Sequence, residues 1–278
     1  MINLLKQVGK ASLYFLIYLG WQVVTGFVLM MEYTMVQTVK MGLNNQMVDE
    51  AELDRMLLEN ATEISYLAVL FAALMALLTY WGIFKVLGKK TLKELAIVRF
   101  PMRDVPGVLL AAAGVYMMIG FGLDFLPFTD EVWEAYAQAS DSLSETSFLM
   151  VISTLLCAPI IEEIVFRRLM FDTMKKAMPV WLAALISSGV FAFMHGQILW
   201  MTYTFVLGMV CCLAMHKTGS VLSNMFIHMF FNLFGGVLAP LMGAIPYALY
   251  GVLPLVGVVL LIAAVWLLWP RRTEVVPS

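Results

Sequence analysis

Little in this sequence is polar, and its shortages narrow the function before any motif is considered. Charged residues make up 13% of the 278 positions against 62% hydrophobic, and the mean hydropathy is +0.89. That balance lies far outside the range of a soluble domain, so the chain reads as an all-α polytopic membrane protein whose first partner is the lipid bilayer. A formal net charge of −2 is too small to point to a nucleic-acid partner. Cysteine is scarce, and Cys157, Cys211 and Cys212 all fall inside apolar runs. They read as small core residues, neither a disulfide framework nor a C-x-x-C metal site. No His-Glu-x-x-His or its inverse occurs. Internal repeats and low-complexity tracts are missing too, and with them the paired Gly/Pro-broken helices of inverted-repeat transporters. The final Val275-Val276-Pro277-Ser278 has no cysteine, so the chain is not itself a prenylation substrate.

What is abundant is apolar sequence in lengths that suit a bilayer. Runs of about 20 apolar residues fall at 11–31, 64–86, 105–126, 148–170, 179–197, 199–216, 219–238 and 243–269, which predicts eight transmembrane helices. The first run ends in Val28-Leu29-Met30-Met31, without small residues at a cleavage site, and reads as a retained helix. Charge alternates along the connections. The first carries Glu32, Asp49, Glu50, Glu52, Asp54, Glu59 and Glu63, the second Lys85, Lys89, Lys90, Lys93, Arg99 and Arg103. The third is acidic again, with Asp130, Glu131, Glu134, Asp141 and Glu145, and the basic Lys175, Lys176, Lys217, Arg271 and Arg272 follow at alternate ends. Of 17 basic residues only Lys40 and Arg55 fall on the opposite side, so the positive-inside rule places both termini in the cytoplasm. Prolines 127, 179, 240, 246 and 254 mark ends or kinks. Val48 to Ala61 reads either as a short amphipathic surface helix or as a solvated acidic loop, and Lys89 to Leu95 invites the same two readings. The organisation expected is a three-helix region over 1–147, a core over 148–238, and a last helix with its tail over 239–278.

The apolar run that begins at Phe148 is interrupted by Glu162-Glu163-Ile164-Val165-Phe166-Arg167-Arg168. A carboxylate in a hydrocarbon span is expensive, by roughly 2.5–3.5 kcal/mol on insertion scales, and ordinarily faces the protein interior with a task there. On a helix Glu163 and Arg167 stand at i and i+4, so they can pair and share the burial. Glu162 points about 100° away and meets Phe166 at i+4 instead. A buried carboxylate without a cation can take up and release a proton near neutral pH, as an acid or base must. The alternative is an interfacial charge cluster at a helix end.

Other polar residues sit at similar depths: Phe191-Ala192-Phe193-Met194-His195 in the fifth span and His228-Met229-Phe230-Phe231-Asn232 in the seventh. At about 1.5 Å per residue, Glu162 lies roughly 20 Å from Lys175 and His195 roughly 24 Å from Pro179. His228 and Asn232 lie roughly 15 and 21 Å from Thr218 on the same scale. Each alone can be a helix-packing hydrogen bond. Together an acid, two imidazoles and an amide are what is needed to activate water and hold an oxyanion. His216, beside Lys217, and Asp124 read as interfacial.

Glu-Glu-x-x-x-Arg, then Phe-x-x-x-His, then His-x-x-x-Asn on successive helices resembles the CPBP or Abi family, which includes the type II CAAX prenyl endopeptidases. The resemblance covers about residues 148–238 and implies an intramembrane glutamate protease. In that reading Glu162 and His195 activate a water, His228 and Asn232 stabilise the oxyanion, and Glu163 and Arg167 hold the site in shape. No cofactor is expected; a divalent metal at a Glu-His-His site is chemically allowed and not required. The implied substrate is a peptide or lipidated protein, and the expected location a prokaryotic plasma membrane. The competing reading is a non-catalytic membrane partner in bacteriocin self-immunity or in regulation of another membrane protein. A proton-coupled transporter using Glu162 and His195, and a serine protease on Ser187 or Ser188 with His228, are weaker rivals.

Overall fold

A helix that is apolar all round has no face to offer water, and it is stable only inside a protein or in lipid. The computed structural model describes residues 2–44, 49–141, 147–238 and 245–268, and all regular structure among them is helical. The elements are α1 (Ile2–Leu43), α2 (Glu50–Val86), α3 (Thr91–Glu94), α4 (Val105–Gly120), α5 (Asp130–Asp141) and α6 (Phe148–Met174). After these come α7 (Val180–Phe193), α8 (Ile198–Thr218), α9 (Val221–Val237) and α10 (Leu253–Leu268). Val48, Glu145, Pro240, Arg271, Arg272 and the last four residues lie outside the described residues.

Each of the eight expected spans falls on one of these helices, and five segments, α1, α2, Met102–Gly120, α6 and α8, are long and apolar enough to cross a membrane. The helices α7, α9 and α10 are shorter than the apolar runs that predicted them. At α7 the reason is local: Gly196 takes φ +71°, a left-handed conformation suited to glycine, and turns the chain straight into α8. The Gln197 side chain caps that new helix by accepting from the Trp200 amide. At its far end α8 stops on Gly219, again left-handed at φ 65°.

Two acidic stretches read as loops are helical. Asp49 caps α2 by accepting from the Ala51 amide, so from Glu50 to Ala61 the stretch is neither a separate surface helix nor a loop but the first turns of α2. At 42 residues α1 spans roughly 63 Å by helix rise, about twice a hydrocarbon core, so the α1–α2 hairpin projects well past it. Asn60 ties the projection together by donating to the Tyr33 hydroxyl at 2.7 Å. The third loop holds α5, whose Trp133 stacks edge-on with Phe128 and Tyr136. Within Lys89 to Leu95 lies the single turn of α3, Thr91–Glu94.

Packing follows the small and aromatic residues. The α1–α2 pair is joined through Trp21 Nε1 donating to Thr79 Oγ1 at 2.9 Å and Tyr80 donating to the Tyr14 carbonyl at 2.7 Å. α4 and α10 cross at glycine: a Cβ on Gly257 would come 2.4 Å from the Met118 nitrogen, so the two backbones touch, as they do at small-residue crossings in membranes. α6 packs against α1, α2, α7, α8 and α9. Facing outward are Phe27, Val23 and Leu16 on α1 and Leu255, Val259, Ile262 and Trp266 on α10, all exposed. Apolar faces this continuous suit a lipid solvent.

Candidate active site

The helix that carries both glutamates is not a regular α-helix. Within α6, π-helical turns over Val151–Cys157 and Glu163–Phe171 flank one α-helical stretch, Ala158–Glu162. Pro159 has no backbone N–H to give the preceding turn, which suits it to the point where the hydrogen-bond register changes. A third π segment, Leu233–Val237, begins directly after Asn232. Such widened turns re-aim side chains and recur at functional sites. Here Glu162 closes the α-helical stretch between two of them, Glu163 and Arg167 lie within the second, and Asn232 directly precedes the third.

Glu163 and Arg167 are fully buried, with Arg167 Nε 3.2 Å from Glu163 Oε2. Alignment is poor for a hydrogen bond, so the contact is an ion pair by proximity. The guanidinium instead lies 4.2 Å from the centre of the Phe191 ring, a cation–π distance. Phe191 is itself fully buried and packs 5.1 Å from Phe166. Glycine at 208 makes room on α8: a Cβ there would stand 2.9 Å from Ser188 Oγ and 3.2 Å from Arg167 Nη2.

The second oxygen of Glu163 meets His228, with Oε1 and Nδ1 2.8 Å apart. A carboxylate only accepts, so His228 donates through Nδ1 and turns Nε2 the other way. That nitrogen is 3.8 Å from Glu162 Oε2. The gap is too long for a direct hydrogen bond and is one that a shared water ordinarily bridges. His228 therefore stands between the two adjacent carboxylates, oriented by one and facing the other.

His195 lies on the other side of Phe191. Its ring is 4.8 Å from Phe191 and that of His228 5.8 Å, both edge to face. His195 Nδ1 is 2.9 Å from the Phe191 carbonyl, so Nδ1 donates and Nε2 is left as an acceptor. The imidazole within 4 Å of Glu162 is that of His228, not His195. Asn232 donates through Nδ2 to the Thr154 carbonyl at 2.8 Å, in the first π segment of α6. One amide hydrogen remains for the open side.

Burial divides the six residues. Glu163, Arg167 and His228 are enclosed, while Glu162, His195 and Asn232 keep partial access to open space. Among the described residues no three His, Cys, Asp or Glu side chains are placed to hold a metal ion. Three supporting contacts were beyond sequence reasoning: the Thr154 carbonyl, Ser187 donating to the Phe166 carbonyl at 2.6 Å, and Tyr18 of α1, buried edge-on against Phe166. No spacing signals them, because each links segments far apart in sequence. At the basic end of α6, Arg168 and Lys175 both pair with Asp172, and Arg168 also reaches the Glu94 carbonyl of α3. Asp124 sits in the turn after α4, away from this cluster.

Residues 144–234 match the family model described as type II CAAX prenyl endopeptidase Rce1-like. The matched span contains Glu162, Glu163, Arg167, Phe191, His195, His228 and Asn232, while the first five helices lie outside it. No curated protein and no solved structure gives a significant match. Residues 144–234 are thus an Rce1-like domain, similar to the type II CAAX prenyl endopeptidases and set in a multi-pass integral membrane protein.

Proposed function

We propose that the protein is an intramembrane endopeptidase of the glutamate type, cutting a peptide bond in a membrane-associated or prenylated substrate. The observation that carries this reading is the arrangement around His228: fixed by Glu163 at Nδ1, it presents Nε2 toward Glu162, the glutamate with access to open space. Glu162 takes a proton from a water, whose oxygen attacks the substrate carbonyl carbon. His195 Nε2, its other nitrogen committed to the Phe191 carbonyl, accepts the water's second hydrogen and aims its lone pair. The negative oxygen that forms is met by the free Asn232 amide hydrogen and by His228 through Nε2. The C–N bond then breaks as Glu162 returns its proton to the leaving amine. No step uses a metal, and dialysis against a chelator is expected to leave turnover unchanged; a loss restored by added zinc would replace this chemistry with a metallopeptidase mechanism.

The topology proposed is eight spans with both termini cytoplasmic, the basic ends of α6 and α8 on that side. Purified protein in lipid is tested on a peptide ending in C-a-a-X, with and without a prenylated cysteine. Asn232→Ala removes one oxyanion donor and is expected to lower kcat by about 10²–10³-fold with little change in KM. An unchanged kcat removes Asn232 from the oxyanion site. In cells, substrates are expected to accumulate uncut with Glu162→Gln. If peptidomes of wild type and variant are the same and the phenotype persists, the chain acts as a non-catalytic membrane partner.

A further inference from the structure

The antiparallel pair α4 and α10 and the hairpin of α7 with α8 meet through α8 and leave a gap beside it. There they leave an apolar groove of about 610 Å³, with Ala111 and Leu268 on one wall, Trp181 and Val210 on the other, and Phe171 and Cys212 at its floor. His216 stands at the end of the groove. The lip is open: Trp181 is 63% exposed and Val180 38%.

The charges around that end are mostly of one sign. Lys217 directly follows His216 at the end of α8, and Lys175 Nζ stands 5.3 Å from the centre of the Phe171 ring that lines the groove, beside one carboxylate, Asp172. Asp172 is engaged by both Arg168 and Lys175, so within this cluster two cations share one carboxylate. All these groups sit at the same end of their helices: the end of α6, the last turn of α8 and the turn that leads into α7. A tryptophan beside cations at a helix end marks the level of lipid headgroups. An apolar cleft running inward from there has the form of an acyl-chain slot. Basic pockets between membrane helices favour anionic headgroups.

We propose that this groove is a binding site for an anionic phospholipid, one acyl chain lying between the two hairpins and the phosphate resting against Lys175, Lys217 and His216. The floor connects the site to the catalytic helices. Cys212 lies 3.8 Å from Ser188 Oγ, next to the buried Arg167 that Gly208 accommodates, and Phe171 ends the π segment that begins at Glu163. A bound chain therefore props the wall that holds Arg167. This site goes beyond peptide hydrolysis and stands or falls without it.

The test uses full-length protein in phosphatidylcholine nanodiscs containing a minor fraction of bromine-labelled phosphatidylglycerol or, separately, bromine-labelled phosphatidylcholine. The signal is Trp181 emission, taken as the difference between wild type and Trp181→Phe. Phosphatidylglycerol is expected to quench that component at much lower mole fraction than phosphatidylcholine. Lys175→Gln with Lys217→Gln is expected to weaken its apparent affinity on the order of 25-fold, about fivefold per lysine. Val210→Phe, which fills the groove and keeps both lysines, is expected to abolish the preferential quenching, and Leu268→Phe does the same from the opposite wall should the first variant fold poorly. Equal quenching by the two lipids overturns the proposal. So does a preference that survives both filling variants, because it would then be general attraction of the basic surface. Quenching by a prenylated peptide in place of phosphatidylglycerol would give the groove to substrate and overturn it as well.

Discussion

Glu162→Gln is expected to lower kcat for peptide cleavage by about 10²–10⁴-fold, the usual contribution of a general base, while thermal unfolding stays close to wild type. The two halves of this result have separate causes. Glutamine has the shape of glutamate and keeps one acceptor oxygen, so the space beside His228 stays filled and substrate contacts are retained. What it loses is the capacity to hold a proton between attack and departure of the amine. Stability is expected to be spared because Glu162 is in no close ion pair: the imidazole it faces, His228 Nε2, is 3.8 Å away. Turnover at saturating peptide and unfolding in the same detergent check the two together. Full turnover excludes Glu162 as the base. A loss of turnover matched by a collapse in stability assigns it a structural task instead.

The neighbouring glutamate has the opposite profile, and the sequence already hinted why. Spacing of i and i+4 marked Glu163 and Arg167 as partners, and they are found paired and sealed from solvent. Helical depth placed Glu162, His195, His228 and Asn232 in a common layer; the structure sets Glu162 beside His228, both imidazoles against Phe191, and Asn232 on the first π segment of α6. The position of His228 between the two carboxylates was not legible. It depends on the rotation of α9 against α6, and on π turns that shift side chains off the 3.6-residue wheel from which any spacing argument starts. Hydropathy likewise located the helices and misjudged their lengths. A window ends where charge begins, yet α2 runs on through Glu52, Glu59 and Glu63 because a helix in water needs only good formers and a cap. In the other direction, α7 ends inside its apolar run because backbone geometry at Gly196, not polarity, terminates it.

Glu163→Ala is expected to destabilise the protein by about 3–5 kcal/mol, since it strands the Arg167 charge in a site with no access to water. The charge has little room to move: the guanidinium lies 4.2 Å from the centre of the Phe191 ring, and a Cβ at Gly208 of α8 would come within 3.2 Å of Nη2. The double variant Glu163→Leu with Arg167→Met removes both charges and refills the volume. It is expected to recover most of the lost stability, because replacing a buried pair with well-packed apolar groups is often neutral or better. Turnover is not expected to return with it. Glu163 Oε1 is also the acceptor that holds His228 Nδ1 at 2.8 Å, and leucine offers the imidazole nothing to donate to. His228 would then be free to rotate, and Nε2 would no longer be fixed toward Glu162 and the developing oxyanion. Unfolding and kcat measured on the single and double variants separate the two roles. A double variant that regained both stability and wild-type turnover would reduce Glu163 to a counterion for Arg167, and the orientation of His228 would have to come from elsewhere in the bundle.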